Sequence, residues 1–105
     1  MNDTIDRKKI ESLLPHRAPM LLIDKLINIV HLKSATAIMY VKKDGFYVQG
    51  HFPGKPVMPG VLIVEAFGQA AAALTAYGID PKEYENKLVF LMSVDKARFR
   101  NPVLP

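Results

Sequence analysis

The sequence predicts an α+β domain in which one long central helix is wrapped by an antiparallel sheet. Three observations predict it. Between Lys55 and Asp80 the only formally charged residue is Glu65, and the rest is Val, Leu, Ile, Ala, Phe, Gly and a few polar neutrals. A helix apolar on nearly all sides is one surrounded by protein. Outside it lie segments rich in Leu, Ile and Val, one with the two-residue alternation of a strand. The chain has 105 residues, half of them hydrophobic and 23% charged, which suits one small globular domain. A helix packed in an α+β layer fits the same pattern.

Taken in order, Asp3-Thr4-Ile5-Asp6 resembles a helix start with Asp3 as N-cap. That helix would carry Ile5, Ile10, Leu13 and Leu14 and stop before Pro15. Pro15 to Pro19 reads as a rigid connection. Met20 to Val30 reads as a strand. Ser34 to Lys43 is a second, with Ala35, Ala37, Met39 and Val41 alternating with Thr36, Ile38 and Tyr40. Lys42 to Gly45 is a turn, and Phe46-Tyr47-Val48 adds a short extended piece. Gly50 to Gly60 is a loop punctuated by Pro53, Gly54, Pro56 and Pro59. The long helix runs from about Pro59 to Tyr77, with Pro in its first turn and Gly78 as its stop. Asp80 to Lys87 is a polar connection, Leu88 to Val94 a third strand, and Ala97 to Arg100 its extension.

Composition excludes several classes. With no cysteine there are no disulfides, thiolate nucleophiles or cysteine-ligated metals. The histidines His16, His31 and His51 are too widely spaced for a close ligand pair, so no metal site is expected. No phosphate loop or nucleophile elbow is present. The first residues mix acids and bases without an apolar segment, unlike a signal peptide, so a cytoplasmic location is the default expectation. A membrane span needs about 20 apolar residues, and Pro59, Gly60, Glu65 and Gln69 argue against one here. The formal net charge of +4 suggests an acidic partner. The basic residues are scattered and match no nucleic-acid motif, so nucleic acid is not that partner. A chain this short buries roughly 60–70% of its unfolded surface, so an oligomer interface could add much of the stability.

Two residues stand out chemically. Glu65 lies in an apolar helix, where burial would push its pKa up and let the carboxyl hold a proton to donate. Gln69, four residues on, shares its face and can orient it. Val61, Gly68 and Ala72 lie on that face and leave room for close approach. The alternative is a Glu that reaches solvent at the helix edge or pairs with a base. His51 sits in a loop stiffened by prolines, beside a helix start whose free N–H groups near Gly60 suit a developing oxyanion. The alternative is a structural or merely exposed histidine.

The run from Gly50 to Ala66, with His51-Phe52-Pro53-Gly54 leading to Pro59-Gly60 and Glu65, resembles the signature of the 3-hydroxyacyl-[acyl carrier protein] dehydratases of the hot-dog fold. Leu14-Pro15-His16-Arg17-Ala18-Pro19-Met20-Leu21-Leu22-Ile23-Asp24 is similar to that family's N-terminal motif, and Asp95 to Val103 to a third. The resemblance spans about Ile10 to Pro105. It implies dimers, often three assembled as a hexamer, with each active site at the dimer interface, His from one subunit and Glu from the other. It implies a 3-hydroxyacyl chain on acyl carrier protein as substrate, a trans-2-enoyl thioester as product, and no cofactor or metal. On this chain His51 would take the C2 proton and Glu65 would assist departure of the C3 hydroxyl. The Gly60 N–H would bind the thioester carbonyl, with Val61 beside it at the substrate, and Gln69 would position Glu65. Lys96, Arg98 and Arg100 would dock the acidic carrier, or simply form a solvated basic edge. Family members continue past the position of Pro105 with further strands, so the single domain of residues 1–105 is expected to be incomplete at its C-terminus. A hot-dog acyl thioesterase and a non-catalytic acyl-carrier-binding subunit are the rival readings; the His-Phe-Pro loop and its spacing to Glu65 favour the dehydratase.

Overall fold

The computed structural model describes residues 3–80, 82 and 97–105. Their elements run β1 (Asp3–Ile5), α1 (Arg7–Leu13), β2 (Lys25–Val30), β3 (Ser34–Ile38), α2 (Phe46–Gln49) and α3 (Gly60–Tyr77). The sheet has the order β1-β2-β3 and both pairings are antiparallel. This is the α+β arrangement expected, a long helix against an antiparallel sheet.

The N-terminus corrects the expectation of a helix from Asp3. Residues Asp3–Ile5 form a strand, with Ile5 opposite Leu26. The cap falls three residues later: the Asp6 carboxylate accepts the Lys9 N–H at 2.9 Å. α1 then buries Ile10 and Leu13. A capping carboxylate is worth about 1 kcal/mol, and Asp6 gains it without releasing Ile5 from the sheet.

The strand expected from Met20 to Val30 begins only at Lys25 because side chains take the earlier backbone groups. Arg7 donates to the carbonyls of Leu21 (2.7 Å) and Ile23 (3.2 Å). Gln69 bonds Leu22 N–H and Met20 C=O. The side chains of Leu21, Leu22 and Ile23 are buried nonetheless. β3 ends at Ile38 rather than Lys43 for a similar reason. The Tyr40 N–H donates to the Asp24 carboxylate at 2.7 Å instead of to a neighbouring strand. The register between β2 and β3 shifts between Ile27 and Val30, around Asn28 at φ 52°. Such a bulge bends a strand and increases its twist.

Phe46–Gln49 is a short helix, not the extended piece expected. Ala97–Arg100 carries no strand, and the strand expected over Leu88 to Val94 lies outside the described residues.

α3 starts after Pro59 and ends at Gly78, as its sequence predicts. Leu32 in the β2–β3 turn reaches over Gly78, where a Cβ would lie 2.5 Å from the Leu32 side chain and push it aside. The helix packs on β2, β3 and α1. Its buried residues are Gln69, Ala73 and Ala76. Their side joins a core that includes Ile10, Leu26 and Ile29. The expectation of a helix enclosed on all sides is not met in this single chain, since Val61 and Phe67 are each 73% exposed. An apolar stripe wider than one core can cover leaves surface for something else to cover. By length and composition alone α3 is also apolar enough to cross a membrane.

Candidate active site

His51 is held from both sides by backbone. Its N–H donates to the Val48 carbonyl at 3.2 Å, and its carbonyl accepts from Val57 N–H at 2.7 Å. Between these, Phe52 and Lys55 exchange backbone hydrogen bonds at 3.0 and 2.8 Å, closing a tight loop. Gly54 turns that loop at φ 76°, a conformation costly for other residues. The His51 ring places Nδ1 2.9 Å from the Val57 carbonyl oxygen. A carbonyl only accepts, so Nδ1 carries the proton and Nε2 of the neutral ring presents a lone pair. That is the form a general base needs.

His51, Val57, Gly60, Ile63, Phe99 and Arg100 help line one cleft. The first turn of α3 opens into it. Leu62 and Ile63 donate to the Pro59 carbonyl at 3.1 and 3.2 Å. The N–H groups of Gly60 and Val61 precede those bonds and have no intrahelical acceptor. Phe99 packs directly on Gly60, where a Cβ would come within 2.9 Å of its ring.

Glu65 is partly buried, its side chain 23% exposed, between the enclosed carboxyl and the solvent-reaching one that the sequence leaves open. Gln69 does orient it. Gln69 is 1% exposed, and its Nε2 donates to Glu65 Oε2 at 2.8 Å and to the Met20 carbonyl at 2.8 Å. Its Oε1 accepts the Leu22 N–H at 2.8 Å. The amide is thus fixed by backbone on two sides and aims one N–H at the carboxyl. His16 Nε2 lies 3.7 Å from the same Oε2. His16 is not among the site residues expected from the sequence, although it lies in the motif Leu14 to Asp24 and between Pro15 and Pro19.

Among the described residues, no hydrogen bond or ion pair joins His51 to Glu65, and the cleft lined by His51 does not include Glu65. The structure brings His51 together with Gly60, and Glu65 together with Gln69, as two separate groups. Arg98 and Arg100 are exposed, and Lys96 lies outside the described residues. Among the described residues no three metal-ligating side chains converge.

A helix-and-sheet scaffold presenting a loop histidine beside a free helix N-terminus agrees with the family comparison: the FabA-like domain model matches residues 14–105. The chain belongs to the FabA-like domain family, of the hot-dog fold. Its relatives include proteins named 3-hydroxyacyl-[acyl-carrier-protein] dehydratase FabZ. One from Anaeromyxobacter sp. (strain K) is 45% identical, the alignment covering 100% of this chain and 71% of the relative. Another from Magnetococcus marinus is 50% identical, covering 98% and 67%. A third from Burkholderia lata is 48% identical, covering 96% and 65%.

Proposed function

We propose that this chain catalyses the reversible dehydration of 3-hydroxyacyl-[acyl carrier protein] to the trans-2-enoyl thioester in fatty-acid biosynthesis. His51 Nε2 removes the C2 proton. The carbon–carbon double bond forms as the C3–oxygen bond breaks. Glu65 supplies the proton with which the hydroxyl leaves as water. The N–H groups of Gly60 and Val61 take the negative charge that builds on the thioester carbonyl, and Gln69 keeps Glu65 in place. The observation that carries this reading is the Nδ1 contact of His51 with the Val57 carbonyl, which leaves Nε2 as a base in the cleft where the helix N-terminus opens. Base and oxyanion donors pre-set in one cleft are what elimination next to a thioester requires.

The acyl chain has a matching surface. A groove lined by Ile23, Ala37, Met39, Val41, Ala66 and Phe67 is mostly apolar and suits a hydrocarbon tail. Arg98 and Arg100, with Lys96, are the docking candidates for the acidic carrier. The two groups are half-sites completed between two copies of the chain, His51 of one facing Glu65 of the other, in a dimer or trimer of dimers. The exposed Val61 and Phe67 on α3 support association of this kind. The protein works without cofactor, in the cytoplasm, with α3 as a core helix rather than a span.

The test is loss of conjugated enoyl absorbance on hydration of a short trans-2-enoyl thioester, with His51→Ala as control. The wild type should turn over and the variant should lose about two to four powers of ten in rate. Release of free acid instead would make the protein a thioesterase. Folded protein without turnover, still binding acyl carrier protein, would make it a non-catalytic subunit.

A further inference from the structure

We infer that His16 is a second positioning residue for Glu65: it faces the carboxyl oxygen Oε2 that Gln69 holds, so that the proton Glu65 donates leaves from Oε1. The chemistry rests on the dehydratase reading above, and the contact rests on geometry. Gln69 Nε2 gives one of its two protons to the Met20 carbonyl and the other to Oε2. An oxygen that already accepts this N–H is the acceptor oxygen of the carboxyl, and the single acid proton sits on its neighbour. His16 Nε2 stands 3.7 Å from that same Oε2, with side-chain exposures of 14% for His16 and 23% for Glu65. The separation exceeds a hydrogen bond, so the interaction is a dipole or charge facing the carboxyl across a narrow gap.

The other ring nitrogen favours one tautomer. Among the described residues His16 Nδ1 is buried and has no hydrogen-bond partner. A buried N–H without an acceptor is rarer and costlier than a buried lone pair without a donor. The neutral ring therefore carries its proton on Nε2, toward Glu65. The backbone holds it there. Pro15 precedes it, and Arg17 donates to the carbonyls of Leu14 and His16 at 2.9 and 2.6 Å. When Glu65 gives up its proton from Oε1, the charge spreads over both oxygens, and the Nε2–H already faces Oε2, a pre-set dipole of the kind that lowers a barrier.

His16→Phe and His16→Gln test this in the hydration assay, each also combined with Glu65→Gln. Phe fills the site without a donor, and Gln keeps an N–H at similar reach. His16→Phe should lower kcat by about ten- to a hundredfold and leave KM within about twofold, with His16→Gln recovering much of the loss. In the Glu65→Gln background His16→Phe should cost nothing further, because the partner it acts through is gone. Unchanged kcat, no advantage of Gln over Phe, or a loss that multiplies with Glu65→Gln would overturn the assignment. If Phe unsettles the fold, seen as a lowered Tm, His16→Ala takes its place in the same cycle. Ring ¹⁵N NMR reads the contact without turnover: a protonated Nε2 with a bare Nδ1 supports it, and the opposite tautomer overturns it. A wild type without turnover, or a fully active His51→Ala, defeats the dehydratase reading instead, and the ring spectrum then decides the His16 contact alone.

Discussion

Gln69 donates one N–H to Glu65 Oε2 at 2.8 Å while its own Oε1 accepts the Leu22 N–H, so the candidate acid is tied through one amide to the segment before β2. Gln69→Leu would leave the Leu22 N–H and the Met20 carbonyl without partners. Unpaired buried groups cost about 1–3 kcal/mol each. Urea unfolding should therefore show a destabilisation of about 2–4 kcal/mol, and the folded fraction should show reduced kcat. An unchanged urea midpoint would mean that water replaces the amide.

At the helix start, Gly60→Ala separates stability from turnover. Alanine is the better helix former by up to about 1 kcal/mol in a helix interior, and at this first position the smaller gain is set against moving the Phe99 ring, so the Tm should change little. The new Cβ would meet the Phe99 ring at 2.9 Å and force it out of place in the cleft. Loss of about tenfold or more in kcat/KM is expected, as for a disturbed oxyanion donor. Adding Phe99→Ala should return part of it; if the double variant is no better, the clash is not the cause.

Mixing His51→Ala protein with Glu65→Gln protein tests whether the site is shared between copies. A mixed dimer would then contain one intact site and one lacking both groups. Activity should appear on mixing and subunit exchange, from two preparations each nearly inactive. A mixture that stays as inactive as its components would place the whole site within one chain.

Tyr77 ties the last residue of α3 to β1, donating to the Asp3 carboxylate at 2.9 Å. That hydrogen bond is the main reason its pKa is raised above 10.0, with burial and the Asp3 charge acting the same way. A raised folded pKa contributes stability that is present below the unfolded value and lost as pH rises through the folded value. The urea midpoint of the wild type should therefore fall more steeply above pH 10 than that of Tyr77→Phe, measured on the same buffer series.

Much of the site was legible before the fold was known. Glu65 is the lone charge in its helix, and Gln69 lies one turn away on the same face; both facts are local and helical geometry converts them into contact. Pro59 and Gly78 bound α3 as the sequence indicates. The stiff loop around His51 was readable from its prolines. Its tautomer was not, because it depends on where the Val57 carbonyl points.

What the sequence by itself determined is therefore the set of elements with strong local signals and the chemical types they carry: the apolar α3, the turn residues that end it, and a histidine, a carboxyl and an amide at fixed spacings. The tertiary structure alone decided the long-range assignments. Asp3–Ile5 became a strand rather than a helical turn because β2 offered it partners. Residues 20–23 left the sheet because Arg7 and Gln69, distant in sequence, claimed their backbone groups. His16 came to face Glu65 across forty-nine positions of chain (65 less 16) for the same reason. Periodicity and propensity report only on neighbours along the chain, whereas a buried hydrogen bond is settled by whichever group folding brings within reach.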